Sequence, residues 1–372
     1  MPRALIFAAA LLAASLAQAQ GVTDTQILLG QSVALTGPSE ELGKDMQAGA
    51  LLYFNNVNRS GGVNGRKIVL TTLDDGYDPP RAVANTKKLI NDEKVFALFG
   101  YVGTPTSNAS LPIFTEAKVP FVGAFTGAES LRAPFNRNVF NVRASYFDET
   151  EAIVQHLTAM SVSSIAVFYQ NDAYGQAGLT GVERAMKRRN MEISARGTVE
   201  RNTVDVGKAV TEMKKANPQA IVMIGSYKAC AAFIKQMRDS GFNPTFWNVS
   251  FVGSKALAKE LGDEGRGVQI SQVMPFPWDS SIPVVKEYRA LLDEAKGEPG
   301  YGTLEGFVAA KVMVEGLRRA GRGLTRESFT KAMESMTAVD VGGFKVSFGP
   351  DNHNASKFVD LTIITRNQKF VR

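Results

Sequence analysis

Apolar and polar positions form a repeating pattern through most of the chain. Short apolar runs, such as residues 95–99 and 119–122, each open into a loop of Gly, Ser and Thr. Runs of this length that end in small-residue loops are typical of buried parallel strands. Residues 106–118, between the two runs, can form a helix with Thr106 or Ser107 as its N-cap. The pattern therefore predicts a strand–helix–strand unit.

The same alternation predicts two successive α/β units. In the first helix, apolar or small residues recur at a spacing of three and four and predict one buried face, at Met46, Gly49, Ala50, Tyr53, Phe54 and Val57. We expect strands at 26–35, 67–73, 95–99, 119–122 and 138–142, and then at 164–169, 192–199, 220–224, 245–249 and 267–273. The fold class is α/β, with two doubly wound Rossmann-like lobes.

The last third of the sequence changes character. Three helices are predicted at 284–295, 303–320 and 325–336, followed by two β-rich stretches at 343–348 and 358–365. A helical return after two α/β units implies that the chain crosses between lobes more than once, which makes a hinge. We expect the lobes to contain residues 22–143 plus 275–342 (lobe 1) and 144–274 plus 343–372 (lobe 2).

The first residues are typical of a cleaved secretory signal peptide. Arg3 precedes an apolar run at 4–16, and Ala17-Gln18-Ala19 supplies the small residues that flank a cleavage site. The run is shorter than the roughly 20 apolar residues that span a bilayer. We expect cleavage after Ala19 and export of residues 20–372 to the periplasm as a soluble protein.

Composition excludes several classes of protein. With Cys230 as the single cysteine, no intramolecular disulfide can form, and its setting between alanines favours an inert core position. The formal net charge of +6 comes from 42 basic and 36 acidic residues, but the basic residues are scattered. A nucleic-acid surface would show a basic stripe or a recognisable module, so we expect no nucleic-acid partner.

The motifs of common enzymes are missing from the sequence. His156 and His353 have no metal-ligand spacing with Cys230, which argues against a zinc site. The sequence contains no phosphate-binding GxxxxGK[ST] loop, no GxSxG nucleophile motif and no GxGxxG after the first strand. We therefore expect no metal, no cofactor and no catalytic residue, and a protein that is not an enzyme.

Loops at the predicted strand ends carry groups that bind without reacting. In open α/β sheets, ligands lie beyond the carboxyl ends of the strands, so Gly103, Thr104, Ala124 and Thr126 should face one pocket. Hydroxyls, free backbone amides and a helix N-terminus together suit a carboxylate. The alternative interpretation is that these are ordinary strand–helix turns.

The second unit offers Tyr174, Tyr227 and Ser250 at equivalent strand ends. A tyrosine combines an apolar ring with a polar tip, which suits a small ligand in a closing cleft, although each tyrosine alone could be a packing residue. Arg143 lies near the first expected crossing. It could bind a ligand carboxylate, but we favour a structural pair with a carboxylate such as Asp148.

The order of the motifs resembles a known family over nearly the whole mature chain. The sequence is similar to the leucine/isoleucine/valine-binding proteins, the amino-acid group of type I periplasmic solute-binding proteins that feed ABC importers. The resemblance rests on GQSVALTGPSEELG, GGVNGRKIVL, DDGYDP, FGYVGTPTSNAS, PFVGAFTGAESLR, VFNVRASYFDET and YQNDAYGQAGL. It implies two lobes joined by three crossings, with the solute held between them.

Residue by residue, the resemblance implies lobe-one contacts from Gly103, Thr104, Ala124 and Thr126. It implies lobe-two contacts from Tyr174 and Tyr227. Leu42 falls where several members of the family carry an aromatic wall residue, so it would widen the pocket. Tyr77 and Gly103 fall where some relatives carry disulfide cysteines, which is consistent with a lost bridge.

One departure from the family bears on the ligand. Ser250 falls where amino-acid binders carry the glutamate that pairs with the ligand ammonium. A buried ammonium without a counter-charge costs several kcal/mol. Either Asp172 or Glu305 takes over this role, or the ligand is not an α-amino acid.

We therefore expect a periplasmic solute-binding protein that closes on a small solute and delivers it to an ABC permease in the inner membrane. The solute would carry a carboxylate and would be of the branched-chain amino-acid type or a related organic or aromatic acid or amide. We expect a monomer. The alternative is a ligand-sensing periplasmic receptor that signals through a separate membrane partner.

Overall fold

The computed structural model of the protein describes residues 20–372 and has two α/β lobes. The signal peptide expected at residues 1–19 lies outside the described range and stays a prediction. Within residues 20–372, every helix is too short or too polar to cross a membrane.

The first lobe is built on a parallel sheet of five strands with the order β2-β1-β3-β4-β5. Its strands are β1 (Gln26–Val33), β2 (Lys67–Asp74), β3 (Ala97–Phe99), β4 (Phe121–Val122) and β5 (Val139–Phe140). Its helices are α1 (Glu40–Arg59), α2 (Pro79–Asn91) and α3 (Thr104–Glu116). The predicted apolar face of α1 is buried throughout. Because β3 pairs directly with β4, the loops that follow these two strands meet at one edge of the sheet.

The second lobe repeats this plan after the chain leaves β5. Its strands are β6 (Ile165–Gln170), β7 (Arg196–Val199), β8 (Ala220–Ile224), β9 (Thr245–Asn248) and β10 (Gln269–Gln272). Its helices are α4 (Tyr146–Ala159), α5 (Ala173–Lys187), α6 (Gly207–Ala216), α7 (Tyr227–Asp239) and α8 (Ser254–Leu261). The strand predicted at 192–199 is therefore shorter than expected.

The chain then returns to the first lobe. It forms α9 (Pro283–Glu294), α10 (Tyr301–Ala320), α11 (Arg326–Glu334) and a small hairpin of β11 (Val339–Asp340) and β12 (Lys345–Val346). Helix α10 packs along α1 at very short range, since a Cβ added at Gly49 would lie 1.9 Å from the carbonyl oxygen of Thr303. A glycine at this position lets the two backbones touch, and this packing fixes α10 to the first lobe.

Two final strands, β13 (Asp360–Ile364) and β14 (Phe370–Val371), complete the second sheet. Both are antiparallel to their neighbours, and the full order is β14-β13-β10-β9-β8-β6-β7. The chain thus passes between the lobes three times, at 141–146, 273–282 and 356–359. The expected α/β fold class, with two lobes and a hinge of three crossings, is confirmed.

The structure changes one expected lobe boundary. The sequence pattern places residues 343–355 in lobe 2, but they lie against the first lobe. The ring of Phe348 lies 5.5 Å from that of Phe140 in β5, and the Asn141 amide donates to the carbonyl of His353 at 2.8 Å. The prediction failed because a β-rich pattern does not indicate which sheet a segment joins.

Two predicted helix caps are also wrong, and both lie beside the cleft. Helix α3 begins at Thr104, two residues earlier than expected, and its N-cap is Gly103. Helix α4 is capped by Ser145, not by Asp148 or Thr150, because the Ser145 hydroxyl and the Asp148 carboxylate exchange hydrogen bonds with each other's backbone amides in a capping box.

Candidate functional site

Two threonine hydroxyls meet where β3 and β4 end. Thr104 opens α3, and Thr126 lies four residues beyond β4. Their Oγ1 atoms share a hydrogen bond of 2.7 Å, and both residues are buried. Thr126 also donates to the hydroxyl of Tyr146, at the start of α4, over 3.3 Å. We call Thr104 and Thr126 the hydroxyl pair; it connects the first lobe to the first turn of the second.

The other two first-lobe candidates, Gly103 and Ala124, shape the loops through their backbone. Gly103 has φ +100°, and a Cβ there would lie 2.2 Å from the Tyr77 ring, so glycine is needed for both the conformation and the close approach. The Ala124 carbonyl accepts from the Thr126 amide at 2.9 Å. The Ala124 side chain, however, belongs to the apolar core of the first lobe. Only its backbone shapes the loop.

An aromatic cluster lies where the two lobes meet. Its members are Tyr77, Phe125, Tyr146, Tyr174 and Phe251. The Phe251 ring is the common neighbour, with centroid distances of 4.6 Å to Tyr174, 5.5 Å to Phe125 and 6.0 Å to Tyr77. The cluster combines first-lobe and second-lobe residues, so the lobes contact each other through π surfaces.

Two second-lobe candidates, Tyr174 and Tyr227, occupy different places. Tyr174 belongs to the aromatic cluster, and its backbone amide is held by the Asp172 carboxylate at 2.9 Å. Tyr227 opens α7 and lies beside Gly253, whose added Cβ would be 3.7 Å from the Tyr227 ring and 2.5 Å from Leu42. Tyr227 lines an open groove of about 1080 Å³ at the outer side of the cleft.

Ser250 belongs to a buried charged network. We define this network as Arg143, Glu149, Ser250, Ser271 and Glu305. The Glu149 carboxylate accepts from the Ser250 amide at 2.7 Å, the Ser250 hydroxyl at 3.0 Å, the Ser271 hydroxyl at 2.6 Å and Arg143 Nη2 at 2.9 Å. Arg143 also contacts the Ser250 hydroxyl and donates through Nη1 to Glu305 at 3.3 Å.

Arg143 therefore has the structural pairing that we favoured, but with different partners. Asp148 is engaged in the cap of α4, whereas Glu149, one residue later, points to the guanidinium. Glu305 reaches it from α10 in the first lobe. The charged network thus bridges the lobes, which the local sequence around Arg143 does not reveal.

Burial and charge shift the pKa values of Glu305 and Arg143 in the charged network. Burial raises the pKa of Glu305 to about 7, although the Arg143 guanidinium opposes this rise. Burial alone would lower the pKa of Arg143, but Glu305 and Glu149 together raise it above its ordinary value. Arg143 is therefore charged at neutral pH, and Glu305 titrates close to neutrality.

The two acids considered as substitutes for the family's glutamate have different environments. Asp172 caps α5 and also accepts from Gln170 at 2.6 Å and Arg201 at 3.4 Å. Glu305 borders the small cavity between the lobes together with Leu42, Phe125 and other residues. That cavity has a volume of about 10 Å³, close to the minimum for a single water. In this arrangement of the lobes the cavity is too small for an organic solute.

Several buried polar atoms of the site have no hydrogen-bond partner within residues 20–372. They include Arg143 Nε and the hydroxyls of Tyr77, Tyr174 and Tyr227, and all four side chains are at most 1% exposed. Buried polar groups are normally satisfied, so such atoms mark places where a partner is needed. Within the same residues, no group of three His, Cys, Asp or Glu side chains could hold a metal ion, and burial raises the pKa of the Cys230 thiol.

Sequence reasoning missed Glu149, Tyr146 and Phe251. Glu149 lies in the first turn of a helix, where acidic residues are common because they complement the helix dipole, so its burial has no local signal. Phe251 follows the predicted site residue Ser250 directly, and Tyr146 follows Arg143 by three residues. Extending each predicted strand-end loop by one turn would have found the last two.

Comparisons with known proteins agree with this architecture. The profile of a family described as periplasmic binding protein matches residues 26–368. A relative from Pseudomonas aeruginosa named leucine-, isoleucine-, valine-, threonine-, and alanine-binding protein is 23% identical over 365 residues, which is 96% of this chain and 94% of the relative.

Two solved structures are similar over nearly the full length. A possible leucine/isoleucine/valine-binding protein from Rhodopirellula baltica is 35% identical with a TM-score of 0.89, over 94% of this chain and 97% of that one. A substrate-binding periplasmic protein from Ralstonia solanacearum is 33% identical with a TM-score of 0.88, over 93% and 99%.

Proposed function

Because the chain belongs to the periplasmic binding protein family, of the branched-chain amino-acid ABC transporter type, we propose that it is the solute-binding component of an ABC importer. It binds a small carboxylate-bearing solute between its lobes. The solute is of the branched-chain amino-acid type or a related organic or aromatic acid or amide.

One observation carries the proposal. The hydroxyl pair at the carboxyl ends of β3 and β4 is connected through Tyr146 to Tyr174 of the second lobe. A solute between these elements would take donors from Thr104 and Thr126 and apolar contact from the tyrosine rings. Hydroxyls and strand-end amides are the groups that hold a carboxylate without reacting with it.

Lobe closure is the event that the transporter would sense. Contacts across the mouth of the cleft, such as Asn202 Nδ2 to the Gly76 carbonyl at 3.1 Å and Lys255 to Glu298 at 2.5 Å, join the lobes in the closed form. A solute that touches both lobes adds to these contacts and shifts the population toward closure. Closed and open forms then differ in the surface that they offer to a permease.

The proposal includes the remaining expectations. The solute is bound and released chemically unchanged, because the groups that contact it are hydroxyls, backbone amides and aromatic rings. Residues 1–19 direct export to the periplasm and are removed. The protein works as a monomer with an inner-membrane ABC permease as its partner.

A thermal-shift screen of residues 20–372 against amino acids, organic acids and amides tests this function. Binding to the native form alone raises stability by about 2.7 kcal/mol at a concentration of 100 times Kd, so a true solute should raise Tm by several degrees. Calorimetry should then give one site per chain, and the solute should be recovered unchanged. A panel without any stabilising solute, or consumption of the solute, would contradict the proposal.

Two threonine variants sharpen the screen. Thr126→Val removes a hydroxyl from the cleft and should weaken binding about tenfold, since a hydrogen bond to a charged group is worth roughly 1.5–3 kcal/mol. Thr180→Val removes an exposed hydroxyl from α5 and should leave Kd unchanged. Equal affinities of the two variants would place the solute away from the hydroxyl pair.

A further inference from the structure

We propose that the cleft selects an aromatic carboxylate without an α-ammonium group, with Arg143 Nε and the Tyr174 hydroxyl as buried donors and the aromatic cluster as the wall. This inference rests on the proposed function and names the substrate class of the same site. It follows from three independent properties of the cleft, which are its acceptors, its donors and its rings.

The carboxylates of the cleft already have hydrogen-bond donors or cations beside them, and Asp45, which lines the small cavity with Glu305, is influenced by the charge of Lys255. Glu149 receives hydrogen bonds from the backbone and hydroxyl of Ser250, from Ser271 and from Arg143. Asp172 caps α5 and contacts Arg201. An ammonium would have to take Glu305 from Arg143 and lie beside the guanidinium, where like charges repel each other strongly at low dielectric. The cleft is therefore unfavourable for an α-amino group.

Two donors beside Tyr146, in contrast, have no acceptor within residues 20–372. Arg143 Nε can only donate, and it has no acceptor within residues 20–372. The Tyr174 hydroxyl is also buried and without a partner there. Arg143 and Tyr174 both neighbour Tyr146, with the guanidinium carbon 5.9 Å and the Tyr174 centroid 5.4 Å from its ring. A solute carboxylate or phenol would supply the missing acceptors.

The rings define the rest of the solute. The aromatic cluster closes on itself around Phe251 at centroid distances of 4.6 to 6.0 Å, with tilted ring planes. A ligand ring that inserts into such a cluster can make edge-to-face and offset contacts in addition to burying apolar area. An aliphatic side chain buries area only, so a planar aromatic solute should be preferred.

Two matched pairs of probes test the class. The first pair is 3-phenylpropanoate and L-phenylalanine, and the second is 4-methylpentanoate and L-leucine; the members of a pair differ only in the α-ammonium. Calorimetry should show that 3-phenylpropanoate binds at least 100-fold more tightly than L-phenylalanine. Its affinity should also be at least about fivefold higher than that of 4-methylpentanoate, because only 3-phenylpropanoate carries a ring.

A conservative variant separates a binding role from a structural one. Tyr174→Phe keeps the ring and removes the unpartnered hydroxyl, so it should weaken 3-phenylpropanoate binding about 5–10-fold. Without ligand, its Tm should be equal to or higher than that of the wild type. Tyr101→Phe is the matched control, since the Tyr101 hydroxyl pairs with Thr86 inside the first lobe at 3.0 Å. The control should lower Tm and leave Kd unchanged.

The outcomes distinguish this inference from the proposed function. Tighter binding of L-leucine or L-phenylalanine than of their deaminated partners would overturn the class and leave the solute-binding function standing. Binding of none of the four probes, with stabilisation by another solute, would do the same. A complete absence of stabilising solutes would count against both. An unchanged Kd in Tyr174→Phe would overturn the role of that hydroxyl.

Discussion

The hydroxyl pair and the charged network face the same cleft but are stabilised in opposite ways. Thr104 and Thr126 are neutral, come from one lobe and share a hydrogen bond, and Thr126 also donates to Tyr146. Arg143, Glu149 and Glu305 are ionisable, come from both lobes and are almost fully buried. The hydroxyl pair can exchange a partner for a solute oxygen at small cost. The charged network cannot lose Arg143 without leaving buried carboxylates unpaired.

Arg143→Met should have the largest effect on stability. It leaves two buried carboxylates without their counter-ion and should lower the free energy of unfolding by about 3–5 kcal/mol in chemical denaturation. Arg137→Met is a matched control, because Arg137 also pairs with two glutamates, Glu327 and Glu334, but is about half exposed. The control should lose at most about 1 kcal/mol. Equal losses in the two variants would show that burial does not determine how much the charged network contributes to the free energy of unfolding.

Gly103→Ala tests the backbone that presents the hydroxyl pair. The variant combines an unfavourable positive φ with a Cβ that meets the Tyr77 ring, and it should cost about 2–4 kcal/mol. Gly61→Ala is the control, because φ there is +96° and the space around its Cβ is open. Thermal and denaturant unfolding should show a smaller loss of about 1 kcal/mol for Gly61→Ala. Indistinguishable values would mean that Tyr77 moves aside freely.

Glu305→Gln tests the charged network through pH. The pKa of Glu305 is raised from 4.5 to about 7 by burial, so the folded protein binds more protons than the unfolded chain between these values. Stability from this group is therefore complete below about pH 4.5 and is lost as pH rises to about 7.

The wild type loses the contribution of Glu305 to the free energy of unfolding as pH rises from 4.5 to 7, whereas Glu305→Gln has no such contribution to lose. The free energy of unfolding of the variant, minus that of the wild type, should therefore increase by about 2–3 kcal/mol over this pH range. Urea unfolding of both proteins at several pH values measures this difference. Asp75, whose pKa burial raises to about 6, contributes equally to both proteins and cancels. A difference that does not change with pH would show that Glu305 titrates normally.

Thr104→Val should have the smallest effect on stability of the variants considered. It removes one hydroxyl of the pair but leaves the bond from Thr126 to Tyr146, so stability should fall by about 1 kcal/mol or less. Differential scanning calorimetry against Thr180→Val measures this loss. A loss as large as that of Arg143→Met would show that the hydroxyl pair, and not the charged network, stabilises the junction.

Much of the cleft could be predicted because strand ends are visible in the sequence. Thr104 and Thr126 follow apolar runs, and parallel strands that pair directly bring their loops together. Tyr227 shows the limit of this reasoning. It follows a strand in the same way, but it lines the outer groove and does not join the aromatic cluster. Its position in the sheet does not predict this, because β8 lies between β6 and β9, whose following loops supply Tyr174 and Phe251 to the cluster.

The sequence by itself determined the α/β alternation, the two lobes, the family and the strand-end position of the hydroxyl pair, because these depend on periodicity and on local order. Only the tertiary structure decided the partners of Arg143. Glu149 is six residues away and Glu305 is 162 residues away, and neither distance along the chain predicts contact. Pairing of buried charges is set by how α4 and α10 pack at the junction of the lobes, and that packing is a property of the whole fold.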